Sequence, residues 1–151
     1  MTHADDLRAW ARGSYNTIEA ATELLLRAFG GRYATPGNSW VHISEDPEGP
    51  HKVRAWIDFE SIPEEVGVLS GRERPSLLIA ASIAENVPVV LGEVVPGLDR
   101  ENPDLVLAGI ARAGGSHQHS DIRETPDGSM TLRPGYLDSL HPWPNALRAV
   151  K

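Results

Sequence analysis

From Ala4 to Phe29 the apolar side chains Leu7, Trp10, Ala11, Ile18, Ala21, Leu25, Ala28 and Phe29 recur at three- and four-residue steps with polar residues between them. That period lines one face of a helix, so the segment is predicted to be amphipathic and must bury its stripe against the rest of the chain. Thr2 and Asp5 have capping-box spacing at its start, and Gly30-Gly31 supplies a left-handed stop. A single helix of this length would run roughly 39 Å at about 1.5 Å per residue, so Gly13 is the place for a bend or a split.

The remaining segments say what that stripe packs on. Ser39 to Ser44 and Lys52 to Phe59 are strand-like runs around Glu45-Asp-Pro-Glu-Gly-Pro50, which reads as a hairpin with a longer loop. Alternation in the second run sends Val53, Ala55, Ile57 and Phe59 to one face and Lys52, Arg54, Trp56 and Asp58 to the other. Trp56 is the odd member of the polar face and is expected to cover an edge or meet another element. Ser61 to Leu69 suits a short helix, with Pro63 in its first turn. Leu77, Leu78, Ala81, Ile83 and Ala84 make an apolar helix ending near Asn86, and Val87 to Val95 leans towards a short helix. Asn102 is placed to cap a helix through Ala113 that stops at Gly114-Gly115. Pro126-Asp127-Gly128 then joins two strand-like runs within Ser120 to Arg133, His141 to Pro144 is extended, and a last turn is expected over Ala146 to Val150. The fold class expected is α+β, a predominantly helical single domain. It has a long N-terminal helix, a hairpin near 39–59, a central helical cluster over 74–115 and a C-terminal hairpin over 120–133.

Length and composition narrow the function. A chain of 151 residues buries about two-thirds of its unfolded surface, enough for one core without staples. It has no cysteine, which excludes disulfides, thiolate nucleophiles and cysteine-held zinc or iron–sulfur clusters. The acidic N-terminus lacks a signal peptide's basic and apolar segments, and the longest charge-free apolar run, Pro75 to Ala84, is too short to cross a bilayer. A cytoplasmic protein is expected. The net charge of −7 repels phosphate, so nucleic acid is not an expected partner.

Residues 77–115 carry Leu77-x-x-Ala80-Ala81-x-Ile83-Ala84, Val89-x-Leu91-Gly92, Gly97-Leu98-Asp99-x-x-Asn102 and Gly114-Gly115. This segment resembles one in uncharacterised proteins of high-GC actinobacteria, some in phage- or plasmid-like contexts. The resemblance implies a cytosolic bacterial or phage protein and transfers no catalytic residue.

Four constellations bear on chemistry. His117-Gln-His119-Ser-Asp121 would project two imidazoles and a carboxylate together from an extended segment, a set suited to zinc or another divalent metal. It is similar to the metallo-β-lactamase His-x-His-x-Asp-His run, but Ile122 stands where the last His belongs, and that family's layered domain does not fit this length. Second, residues 45–65 hold seven acids (Glu45, Asp46, Glu48, Asp58, Glu60, Glu64, Glu65) against Lys52 and Arg54, which reads as a solvated acidic face. Third, Arg72 and Arg74 lie at a helix entry where Ser70 and Glu73 have capping-box spacing. Fourth, a helix-turn-helix reading of 77–110 puts the reader helix at 91–99, which has two acids and no base for DNA edges. Trp10 and Trp40 fit core positions, whereas Trp56 and Trp143 suit an interface, Trp143 with core docking as its alternative. Hydrolase nucleophile motifs are absent.

The reading favoured is a non-enzymatic protein–protein interaction or regulatory module, with Trp56, Glu60, Glu64 and Glu65 meeting another protein and no cofactor. The alternatives are a metal-dependent enzyme or metal-binding protein at His117, His119 and Asp121, and a DNA-associated regulator using a basic face formed by oligomerisation.

Overall fold

The structure, a computed structural model, describes residues 2–46, 48–49, 52–68, 71–136 and 139–144, and the side chains of 68, 119–123 and 132–136 lie outside that description. The N-terminal amphipathic stretch forms two helices instead of one long one: α1 (His3–Arg12) and α2 (Asn16–Arg27). Gly13 closes α1 through bonds from its N–H to the carbonyls of Ala11 and Trp10. The break turns both apolar stripes onto a common core, which a straight rod could not do. The Thr2 capping box is present, with Asp5 N–H donating to Thr2 Oγ1 at 3.1 Å and Thr2 N–H to Asp5 Oδ2 at 3.0 Å. Behind α2 the chain turns at Phe29, Gly30 and Gly31, with φ of 53°, 67° and 80°. The expected glycine stop therefore includes one residue with a side chain.

The first hairpin pairs β1 (Val41–Ile43) with β2 (Ala55–Ile57), setting Val41 opposite Ile57 and His42 opposite Trp56. Flanking bonds from Ser44 N–H to the Arg54 carbonyl (2.9 Å) and from Asp58 N–H to the Trp40 carbonyl (2.8 Å) carry the pairing one step past each end. Ala55, Ile57 and Phe59 are buried as the alternation requires. A short helix α3 (Ile62–Glu65) follows, then α4 (Arg74–Glu85), which ends at Asn86 in the left-handed region. The Val87–Val95 stretch holds α5 (Leu91–Val94), the short helix expected. Helix α6 (Asn102–Ala113) begins one residue early, so Asn102 is not its cap. Its N–H bonds the Asp99 carbonyl at 2.9 Å in the preceding turn, and its side chain is buried. The second hairpin pairs β3 (Gln118–Glu124) with β4 (Met130–Tyr136). The turn expected over 146–150 lies outside the described residues.

The fold is thus mostly helical α+β, and its described strands form two separate two-stranded antiparallel sheets. Helix α2 is its hub, since α1, α4 and α6 all pack on it, while β2 packs on α1. Leu7, Leu24, Leu25, Phe59, Ile62 and Leu77 fill the centre with at most 1% exposure. At the edge of the core Trp40 Nε1 donates to the Tyr33 carbonyl at 2.8 Å. Among the described residues no helix is long and apolar enough to cross a membrane.

Candidate functional site

The acidic stretch is divided by the hairpin it surrounds. Glu45, Asp46 and Glu48 lie in the loop that joins the strands, whereas Glu60, Glu64 and Glu65 follow β2 beyond its other end. Three-residue strands separate the two groups by about 10 Å. Glu45, Asp46, Glu48, Asp58, Glu60, Glu64 and Glu65 are all exposed. Among the described residues the only ion pair of this stretch joins Arg54 to Glu48 at 3.7 Å, between side chains 50% and 82% exposed. Such a pair contributes little. Trp56 does meet another element: its ring stacks on that of His42 across the strand pair, centroids 5.3 Å apart at 23°. Ala55 and Ile57, its neighbours in β2, are buried, so the half-buried stack occupies the opposite side of the hairpin from the core.

The histidine run is placed only in part. His117 ends the turn after α6, and His119 and Asp121 occupy alternate positions of β3, opposite Gly135 and Arg133 in the register. The side chains of His119 and Asp121 lie outside the described residues. Among the described residues no group of three His, Asp or Glu is placed to hold a metal ion. His117 is half-buried, and burial lowers its pKa below 6.5, with the Arg112 guanidinium acting in the same direction and Glu19 opposing.

A charged cleft escaped the sequence reading. It has a volume of about 240 Å³ and is lined by Glu19, Glu23, Arg27, Arg112 and Trp143. Glu23 accepts from Arg8 Nε (2.9 Å) and Nη2 (3.0 Å) and from Arg27 Nε (2.8 Å), and Arg112 is bonded to Glu19. The Arg27 guanidinium carbon lies 5.2 Å from the centre of the Trp143 ring, and Arg27 Nη1 donates to the Pro144 carbonyl at 3.3 Å. Trp143 is therefore docked on the core, the second of the two roles weighed for it. Burial pushes the Glu23 carboxyl up, but the bonds from Arg8 and Arg27 outweigh it and hold the pKa below 4.5. An ionised carboxylate held by two arginines is a poor proton donor at neutral pH, and through Arg27 it acts as a structural clamp on the tail. One signal was available in the sequence: Glu19, Glu23 and Arg27 at four-residue steps form a charged stripe on α2.

Arg72 and Arg74 are both exposed, and Ser70 lies outside the described residues. Glu73 pairs with Arg32 at 3.3 Å, and its backbone caps α4 without a side-chain bond. The segment weighed as a DNA reader contains only the four-residue α5 and a turn of 3₁₀ helix, with Leu91 and Val95 exposed. Comparison with protein families, with curated proteins and with solved structures finds no match.

Proposed function

We propose that the protein is a non-enzymatic interaction module that binds a basic protein surface through Trp56 and the carboxylates of Glu60, Glu64 and Glu65. The observation that carries this reading is the His42–Trp56 stack, which holds a large apolar ring on the outward side of the hairpin. Aromatic side chains are enriched at interface centres, where they bury area at low entropic cost, and a polar rim supplies specificity. The three carboxylates are exposed and, among the described residues, make no ion pair, so no internal partner would have to be given up on binding. Capture of a partner by the immobilised protein should fall when Glu60, Glu64 and Glu65 are replaced together by Lys. It should fall again for Trp56→Ala, and weaken as salt rises. Capture unchanged by both variants would overturn this reading.

A second reading, a divalent metal such as zinc at His117, His119 and Asp121, is favoured by the alternate placement of the last two along β3. Metal content and zinc-dependent melting of the wild type against His117→Ala/His119→Ala test it. No bound metal and no shift in melting would remove it.

A further inference from the structure

The hairpin of β3 and β4 is a two-stranded sheet to which no third described strand is added. None of the described side chains from Gln118 to Thr131 is buried. It is tied to the body at its base, where Asn16 Nδ2 donates to Gln118 Oε1 (3.1 Å) and the hydroxyls of Ser116 and Ser139 meet at 2.7 Å. Isolated hairpins are marginal, and open edges are templates for another strand.

The two edges are not equivalent. The bond from Thr125 N–H to the Ser129 carbonyl, 2.8 Å, fixes the alternation of the ladder. Stepping back along the register, Glu124–Met130, Ile122–Leu132 and Ser120–Pro134 become the pairs that exchange no bonds with each other. Their backbone groups therefore face outward. On β4 that set includes Pro134, which has no N–H to offer, so that edge is blunted. On β3 it is Ser120, Ile122 and Glu124, each with a donor and an acceptor.

We propose that this β3 edge pairs antiparallel with the β3 edge of a second copy of the chain, about a two-fold axis at Ile122. The charge pattern of the strand selects this partner and this register. With the axis at Ile122, the two Ile122 residues exchange both backbone bonds, and Asp121 of each copy stands opposite Arg123 of the other. Those are non-hydrogen-bonded positions, where facing residues come closest. Moving the axis by one residue sets Asp121 opposite Asp121 in one direction and Arg123 opposite Arg123 in the other. Both slips are disfavoured by like charge. The product is a four-stranded sheet whose two outer edges both carry Pro134.

Sedimentation of the full chain over a concentration series tests this. The wild type should show a dimer fraction that rises with concentration. Ile122→Pro removes an outward-facing donor without breaking a bond of the β3–β4 ladder, and should sediment as a monomer with unchanged circular dichroism. Asp121→Arg and Arg123→Asp should each be monomeric, and the double variant Asp121→Arg/Arg123→Asp should recover the dimer. A wild type that stays monomeric throughout, a dimer that survives Ile122→Pro, or a double variant that stays monomeric would each overturn the proposal.

Discussion

Trp143 sits over Gly109, so that a β-carbon at that glycine would stand 3.5 Å from Trp143 Cη2 and 3.9 Å from Leu24 Cδ2. These are ordinary van der Waals distances. A methyl group fits beneath the indole.

Gly109→Ala should therefore stabilise the protein. Gly109 lies in the interior of α6, where replacing Gly by Ala favours the helix by about 0.5–1 kcal/mol. Thermal unfolding should shift upward by about 1–4 °C for a chain of this size. Gly109→Leu should do the opposite, lifting the indole from α6 and from Arg27, with a change in tryptophan emission. Equal melting of the Ala and Leu variants would show that Trp143 does not depend on the space at Gly109.

How much of this was legible along the chain depends on the distance between partners. The capping box at Thr2, the glycine stop after α2 and the buried face of β2 are set by residues within a few positions of one another, and each follows from periodicity. The break at Gly13 was readable as a place but not as an outcome, because the packing of α1 and α2 on one core decides it. Glu19 and Arg112 are 93 residues apart, and Trp143 finds Gly109 across a chain reversal, so no local pattern announces either. The acidic run illustrates the converse. Seven acids close in sequence look like one face, yet two three-residue strands carry them to opposite ends of a hairpin.

Two buried hydroxyls mark places where the core is not optimal. Thr22 Oγ1 and Ser76 Oγ have no hydrogen-bond partner among the described residues, and both side chains are 1% exposed. An unpaired buried hydroxyl costs about 1–3 kcal/mol relative to an apolar group of the same shape. Thr22→Val and Ser76→Ala should each raise stability by about 1 kcal/mol in urea unfolding, with unchanged slope. Destabilisation by both would show that the hydroxyls do bond within the fold.

Acid should weaken the clamp at Glu23. Its folded pKa lies below 4.5, so the native state holds its carboxylate ionised after the unfolded chain has begun to take up protons. The stabilisation is present above the unfolded pKa and is lost as pH falls through the folded one. Arg8 is 41% exposed and Arg27 35%, so solvent screening limits each pair to about 0.5–1 kcal/mol. Glu23→Gln should accordingly cost about 1–2 kcal/mol at neutral pH by that measure, and the deficit should shrink towards pH 3. A deficit that is the same at both pH values would mean that the carboxylate's charge is not what holds the two arginines.

His117 should set a second pH slope of different chemical origin. Burial and the nearby Arg112 guanidinium disfavour the imidazolium in the native state, lowering the pKa from 6.5 against the weaker pull of Glu19. Between the folded pKa and 6.5 the unfolded chain binds more protons than the native one, so stability falls as pH is lowered through that window and levels off below it. His117→Gln keeps a polar side chain that does not titrate, and should flatten the stability profile in that window while leaving the Glu23 limb untouched. In the wild type, the His117 ring resonances should titrate below those of a histidine in a model peptide. Arg112→Gln should move that titration back upward by removing one of the two forces that lower it. Coincident titration of His117 in the wild type and Arg112→Gln would leave burial alone as the cause.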